Sequence, residues 1–421
     1  MTGAQLRSKL FIGNTLFVAK SGNNATALRN RWDKPFATVL EAKNNAQVGD
    51  TIYVFPGTYN EGSADITASG VQYWVEDGAI IQCNVEVISD FGLAKDIWVD
   101  GAGTFQTLGI NFGRGVVNVN NVASTLYFRG KQLLARTNGA EITAHDPNVN
   151  FDFHCDTITC DLQYGLFLSG NVQGIFSFNL IETQDSAGIF CSNVGTDLVK
   201  RRVFIKGVQM TGQSASFGAG LIATQNCFNT EIHWEGITLN HFTSTAGGGF
   251  LIGGGFNYFI NCNLKSENGY GVNFFSGQSV NRWVNCNIVS ERQAFNSNGT
   301  SINEIVGGVY SSSDDGLANV GSITLSGSSE LDIQDAVIEQ TATDGVPAII
   351  RVDNDNLRIG NIKMVGDASI TQSIRGNAPR NIKVEKDSAT NKAVDGNITN
   401  LVAGTTIVVD SNVGRNSQTV F

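Results

Sequence analysis

A chain of 421 residues with 41% hydrophobic content has ample material for a core, which excludes an acidic disordered tail. Lysine and arginine total 28 against 38 acids, a net charge of −10, so the basic footprint of a general nucleic-acid binder is missing. No window reaches about 18 uninterrupted apolar residues, so no membrane span is predicted. What stands out is 48 glycines and 43 asparagines beside five prolines and only 16% charged residues.

In chain order, the segment Met1 to Leu10 lacks an apolar run with a small-residue cleavage site behind it, so no secretory leader is predicted. The first element is a strand, Leu16-Phe17-Val18-Ala19-Lys20, followed by a polar loop to Asp33. Pro35 fits the first position of a helix whose apolar face is Phe36, Val39, Leu40, Ala42 and Ala46, ending at Gly49-Asp50. A buried strand, Thr51-Ile52-Tyr53-Val54-Phe55, closes on Pro56-Gly57.

Further along, the sequence repeats. A short strand meets a small or polar residue and then an aliphatic one, as at Lys206-Gly207-Val208, Glu235-Gly236-Ile237, Cys262-Asn263-Leu264, Cys286-Asn287-Ile288, Gly307-Gly308-Val309, Asp335-Ala336-Val337 and Gly360-Asn361-Ile362. With Leu133, Ile158 and Leu180 upstream, these aliphatics recur with a mean spacing of about 25 residues. A second signal follows each marker, a small residue before a large apolar one: Gly188-Ile189, Gly220-Leu221, Gly249-Phe250, Gly271-Val272, Ala294-Phe295, Gly316-Leu317 and Gly345-Val346. No intervening segment has a helical period, and the unit is too short for a propeller blade. The pattern predicts an all-β chain, a single parallel β-helix whose equivalent strands stack at about 4.8 Å. Stacking like on like explains the composition, because asparagines can form ladders while charges in one column would repel. The best match, Asn261-Cys262-Asn263 over Asn285-Cys286-Asn287, puts two cysteines in register.

The opening block carries a resemblance. Lys34-Pro35-Phe36-Ala37-Thr38, Glu41-Ala42, Val48-Gly49-Asp50-Thr51-Ile52-Tyr53-Val54 and Pro56-Gly57-Thr58-Tyr59-Asn60-Glu61 resemble the first motif of the pectate-lyase-like, right-handed parallel β-helix proteins. That group includes polysaccharide lyases, glycosidases and phage tailspikes, and this chain is most similar to tailspike and appendage proteins. The resemblance implies a right-handed β-helix of roughly 13 coils over residues 51–390. A strand and capping helix in 1–50 would cover one open end, and 391–421 would form a β cap or an oligomerisation segment.

A glycosidase of this kind needs two facing carboxyls. The acids that follow the markers are Asp185, Glu267, Glu291, Asp314, Asp315, Glu339, Asp344 and Asp367. Of these, Glu267, Glu291, Asp314 and Asp315 are the weak catalytic candidates, and Ser313-Asp314-Asp315-Gly316-Leu317-Ala318 resembles the Asp-Asp strand of polygalacturonases. That family's Asn-Thr-Asp and Gly-His-Gly elements are missing, because Glu291-Arg292-Gln293-Ala294 stands at the first and all four histidines (145, 154, 233 and 241) precede Asp314. Arg358-Ile359-Gly360 matches its Arg-Ile-Lys only in part. Tyr258, Tyr270 and Trp283 are the weak candidates for a sugar platform. The seven cysteines show no Cys-x-x-Cys spacing and are expected to be free, buried thiols, and no metal or cofactor is expected. The glycines at 247–249 and 253–255 lack the lysine of a phosphate loop and are read as close packing or a turn.

The functional expectation is a virion structural or receptor-binding protein, a tailspike, fibre or capsid appendage that contacts host-surface polysaccharide. It would be a homotrimer, made in the host cytoplasm and joined to other virion proteins. The alternatives are a polysaccharide hydrolase or lyase on the same fold, and a secreted adhesin or glycosidase.

Overall fold

The computed structural model describes residues 13–63, 65–90, 95–109, 115–120, 124–144, 150–184, 187–194, 201–207, 209–212, 222–227, 230–242, 248–266, 269–274, 278–297, 299–313, 321–327, 329–341, 348–353, 356–360, 362–366, 372–377, 381–384, 389–390 and 406–409. They form a mostly β chain with one short helix, a parallel β-solenoid of about 9 turns. The chain divides into two compact units, residues 1–208 and 209–421.

In the first unit, Thr15–Val18 pairs in parallel with Thr51–Val54, which pairs with Gln72–Val75. The same ladder continues through Asp96–Gly101, Thr125–Ala135, Phe151–Cys160 and Gly174–Thr183. A second ladder runs through Gly57–Asn60, Ala79–Cys83 and Thr104–Thr107, and the far halves of the long strands continue it. A third face stacks Ile88–Ser89, Gly115–Val119, Asn138–Ala144, Leu166–Gly170 and Ile189–Val194. Alternation turns every second side chain inward, so Phe105, Phe128, Phe153 and Phe176 are buried in the core.

The helix, Val39–Asn45, begins later than the sequence pattern predicts. Pro35 is not its first residue, because Phe36 is committed to extended pairing: its N–H donates to the Phe17 carbonyl at 2.7 Å and its carbonyl accepts from Ala19 N–H at 3.0 Å. The N-cap is Thr38, whose hydroxyl accepts from Glu41 N–H at 3.3 Å. Buried Glu61 then accepts from the N–H groups of Val39 and Leu40, both at 2.9 Å, which satisfies two of the four orphan donors. Glu61 belongs to the opening motif, so part of that motif's pattern is helix capping from the next coil.

In the second unit the first ladder runs through Thr230–Glu235, Gly255–Ile260, Gln278–Ser290, Thr300–Ser312, Glu330–Gln334, Asn356–Gly360, Asn381–Val384 and Thr406–Val409. The last of these strands extends the ladder by a rung. Ladder offsets such as Gln278 to Thr300 and Ile302 to Glu330 bracket the period read from sequence. The small residues of the repeat acquire a reason here. Gly236, Asn261, Asn285, Gly307 and Asp335 all have φ between 51° and 73°, a left-handed corner where the chain turns from the first ladder to the second on these five coils.

Individual markers drift around that corner. Leu133 pairs with Ile158 and Val309 with Val337 as the repeat predicts. Ile158 pairs with Ile181 rather than Leu180, Leu264 with Leu239 rather than Ile237, and Ile288 with Tyr310 rather than Val309. Where apolar residues are neighbours in sequence, strand alternation decides which one faces in. On the third face Phe250, Val272 and Phe295 stack as expected. Leu221, Leu317 and Val346 lie outside the described residues, and Ile222, Ile323 and Ile350 hold the positions on those coils.

All seven cysteines are buried thiols outside any disulfide. Cys262 and Cys286 sit one rung apart, as the triplets predict, beside a 2.8 Å bond from Asn287 Nδ2 to Asn263 Oδ1. A thiol–thiol hydrogen bond with Cys286, together with burial, raises the Cys262 thiol well above its ordinary value. Among the glycines, Gly254 and Gly255 have positive φ, and a Cβ on Gly249 would meet the Leu264 side chain at 2.3 Å, so close packing and a turn account for that stretch.

Candidate functional site

The outer surface of the first ladder in residues 209–421 has an inverted pattern. Asn257, Asn281 and Asn303 pair rung over rung with their side chains inward, at 0%, 1% and 2% exposure. Their neighbours Phe256, Val280 and Ile302 therefore face outward, and Ile302 is 52% exposed. A one-residue slip would exchange the two columns, burying the aliphatics and exposing the amides. An aromatic and aliphatic stack holds the register two residues further along each strand. Phe259, Trp283 and Ile305 are also inward and fully buried, with Phe259 and Trp283 stacked at 3.8 Å.

The inward amides are satisfied in series. Asn257 Nδ2 donates to Asn281 Oδ1 at 3.0 Å and to the Gly254 carbonyl at 3.1 Å. Asn281 Nδ2 donates to Asn303 Oδ1 and Ser279 Oγ, both at 2.9 Å, and Asn303 Nδ2 to Ser301 Oγ at 2.8 Å. Each rung supplies the acceptor for the one before it, which removes most of the cost of burying the groups.

Above the apolar column lies a groove of about 440 Å³, lined by Phe256, Gln278, Val280, Thr300, Ile302 and Glu330 among others. Glu231 precedes Phe256 on the same column and Glu330 follows Ile302. The parallel column beside it reads His233, Tyr258, Arg282, Glu304, Asp332 and Arg358. Its charges are paired across rungs, Arg282 with Glu304 at 3.1 Å and Arg358 with Asp332 at 3.4 Å. Glu330 accepts from Asn356 at 3.4 Å and Glu231 lies 3.9 Å from His233. Each of these acids lies beside a cation, an imidazole or an amide, an arrangement that fixes a surface.

Only some of the residues singled out from sequence are among those described. Glu267, Asp314 and Asp315 lie outside the described residues, as do Asp185, Asp344 and Asp367. Glu291 is exposed just past its strand, and Glu339 sits on another coil. Trp283 is fully buried in the core stack, so it is no sugar platform. Tyr258 is half-exposed and stacked on His233 at 4.8 Å, whereas Tyr270 belongs to the third face under the Arg292 guanidinium at 5.6 Å. The three aromatics therefore share no face. His154 contacts Ser177 at 2.8 Å and Asp156 at 3.4 Å, His145 lies outside the described residues, and the His241 side chain is not among those described. Among the described residues no group of three or more His, Cys, Asp or Glu could hold a metal ion.

Val280 and Ile302 were missed because a period-two reading assigns the apolar residue of each pair inward. The signal was available in Val280-Asn281 and Ile302-Asn303, the same dipeptide type one coil apart. Comparison with protein-family models, with curated proteins and with solved structures finds no match.

Proposed function

We propose that this chain is a recognition solenoid that binds an extended glycan along its outer rungs without cleaving it, as a virion structural or receptor-binding appendage would. The observation that carries the reading is the inverted column: three apolar side chains held outward, over buried amides, on consecutive rungs. Turning aliphatics to solvent costs about 25 cal/mol per Å² left exposed. A contiguous apolar column of this kind suits a ligand-binding face. The resemblance of the opening motif to the pectate-lyase-like proteins implies the finer features of the same reading: a right-handed solenoid, a homotrimer, and assembly with other virion proteins.

The test uses purified protein against a panel of capsular and O-antigen polysaccharides, with binding and release of reducing ends measured together. Binding without release is expected, and Ile302→Asp should weaken it about tenfold or more. Chain cleavage that disappears in Glu330→Gln would overturn the reading in favour of a depolymerase. Light scattering should give three chains per particle, and a monomer would count against the appendage model.

A further inference from the structure

The first unit has its own outward aromatic strip, of a different character. Phe17, Tyr53 and Trp74 occupy one column of the first ladder, on three successive rungs. Phe17 and Tyr53 have ring centroids 5.9 Å apart, and Phe55 packs against both, at 6.0 Å and 5.1 Å. One column over, Trp98 follows Gln72 and is stacked on Tyr127 of the next rung at 4.1 Å and 19°. The Arg129 guanidinium lies over Tyr127 at 4.5 Å and grips Asp152 through two 2.9 Å bonds. All six aromatic side chains are half-buried, so each keeps part of its ring in solvent.

Two further features mark this strip as a binding surface. Among the described residues, neither the Trp98 indole N–H nor the Gln72 side-chain carbonyl, on adjacent rungs and both buried, has a hydrogen-bond partner, which leaves a donor and an acceptor unspent at the middle of the strip. The rim is acidic. Glu76 accepts from the Tyr53 hydroxyl, Asp96 from Thr125 at 2.5 Å, and Asp100 is the rung partner of Trp74. Against these and Asp152 stands Arg129, while Lys131 is paired with Asp77 at 2.6 Å and Lys20 lies over Tyr59 at 5.4 Å.

We infer that this strip is a second glycan site, and that its ligand is an uncharged pyranose polymer lying across the rungs. The inference rests on the glycan-binding reading above and names the class of sugar for a different face. Flat apolar faces of pyranose rings pack on aromatic rings, and carboxylates accept from the equatorial hydroxyls around them. Five rungs at about 4.8 Å each offer one aromatic or acidic contact per sugar-sized step. The acidic rim repels an anionic polymer, which rules against polygalacturonate and hyaluronate as occupants.

The experiment titrates the full-length protein with dextran, mannan and hydroxyethyl cellulose, and with polygalacturonate and hyaluronate. Calorimetry and tryptophan fluorescence are the readouts, at low and moderate salt. At least one neutral polymer should bind and shift the emission, with Trp74→Ala and Tyr127→Leu each weakening it about tenfold or more. Ile302→Asp, in the second unit, should leave that binding intact. Because Trp98 is partly packed, Trp98→Ala serves only where its melting curve matches the parent, and the other two variants decide. Neutral-polymer binding unchanged in both, or tighter binding of an anionic polymer, would overturn this inference and leave the proposed function standing. A parent protein that binds neither these polymers nor the bacterial panel would overturn both.

Discussion

The cores of the two units solve the same stacking problem with different materials. In residues 1–208 aromatic rings lie rung over rung: Phe128 and Phe153 have centroids 4.8 Å apart, and Phe105, Phe176 and Phe178 flank them. In residues 209–421 the aromatic stack of Trp234, Phe259 and Trp283 is accompanied by the buried ladder Asn257–Asn281–Asn303. The difference shows that a solenoid decides polarity column by column. An amide is tolerated inside wherever its neighbours above and below complete it, and an isolated one would not be.

Alkaline pH should have the largest effect and needs no mutation. Burial raises the thiols of Cys83 and Cys155, both in the first unit, from 9.0 to about 12. The unfolded chain releases these protons near pH 9 and the folded chain near 12, so between them the folded state holds protons that the unfolded state has lost. Stability is therefore complete below about pH 9 and falls as pH rises toward 12, by several kcal/mol over the window. Thermal melts under reducing conditions at stepped pH would show it, and a flat profile would mean that these thiols are not sealed in the core.

Next come the stacks. Trp283→Ala and Phe153→Ala should each cost about 3–5 kcal/mol, read from denaturant midpoints, because neither cavity can collapse between fixed rungs. A much smaller cost in one unit would break the equivalence of the two cores.

The sharpest comparison is the smallest in energy. Asn281→Ala removes the middle of the buried ladder and strands one N–H of Asn257 Nδ2 and the Asn303 Oδ1 acceptor, a loss of about 2–4 kcal/mol. Asn287→Ala removes a 2.8 Å amide bond of the same chemistry, Asn287 to Asn263, from the exposed surface, and should change stability by no more than about 0.5 kcal/mol. Equal effects of the two variants, measured in the same denaturant series, would mean that solvent exclusion is not what makes the inner ladder matter.

Much of this architecture was legible beforehand because a stacked fold writes its period into the chain. The left-handed corner accepts Gly, Asn or Asp and little else, so Gly236, Asn261, Asn285, Gly307 and Asp335 mark it on five coils of the second unit. The register of Cys262 under Cys286 followed from the same triplets. The helix start was misplaced because Pro35 satisfies a local rule that the pairing of Phe36 with Phe17 overrides. The candidate site was far less legible. Trp283 has the composition of a sugar platform and the position of a core residue, and nothing local distinguishes the two.

The sequence alone determined that this chain stacks parallel coils about 25 residues apart, since only that period reconciles its glycines, asparagines and scarce charge. Tertiary structure alone decided which side of each strand is inside. At Val280-Asn281 and Ile302-Asn303 the hydrophobic pattern favours one answer, and the fold takes the other. The reason is that rungs are read together. Trp283 and Ile305 two residues on, and the corners beyond them, fix the register, and neighbouring asparagines then satisfy one another while the aliphatics are left facing out.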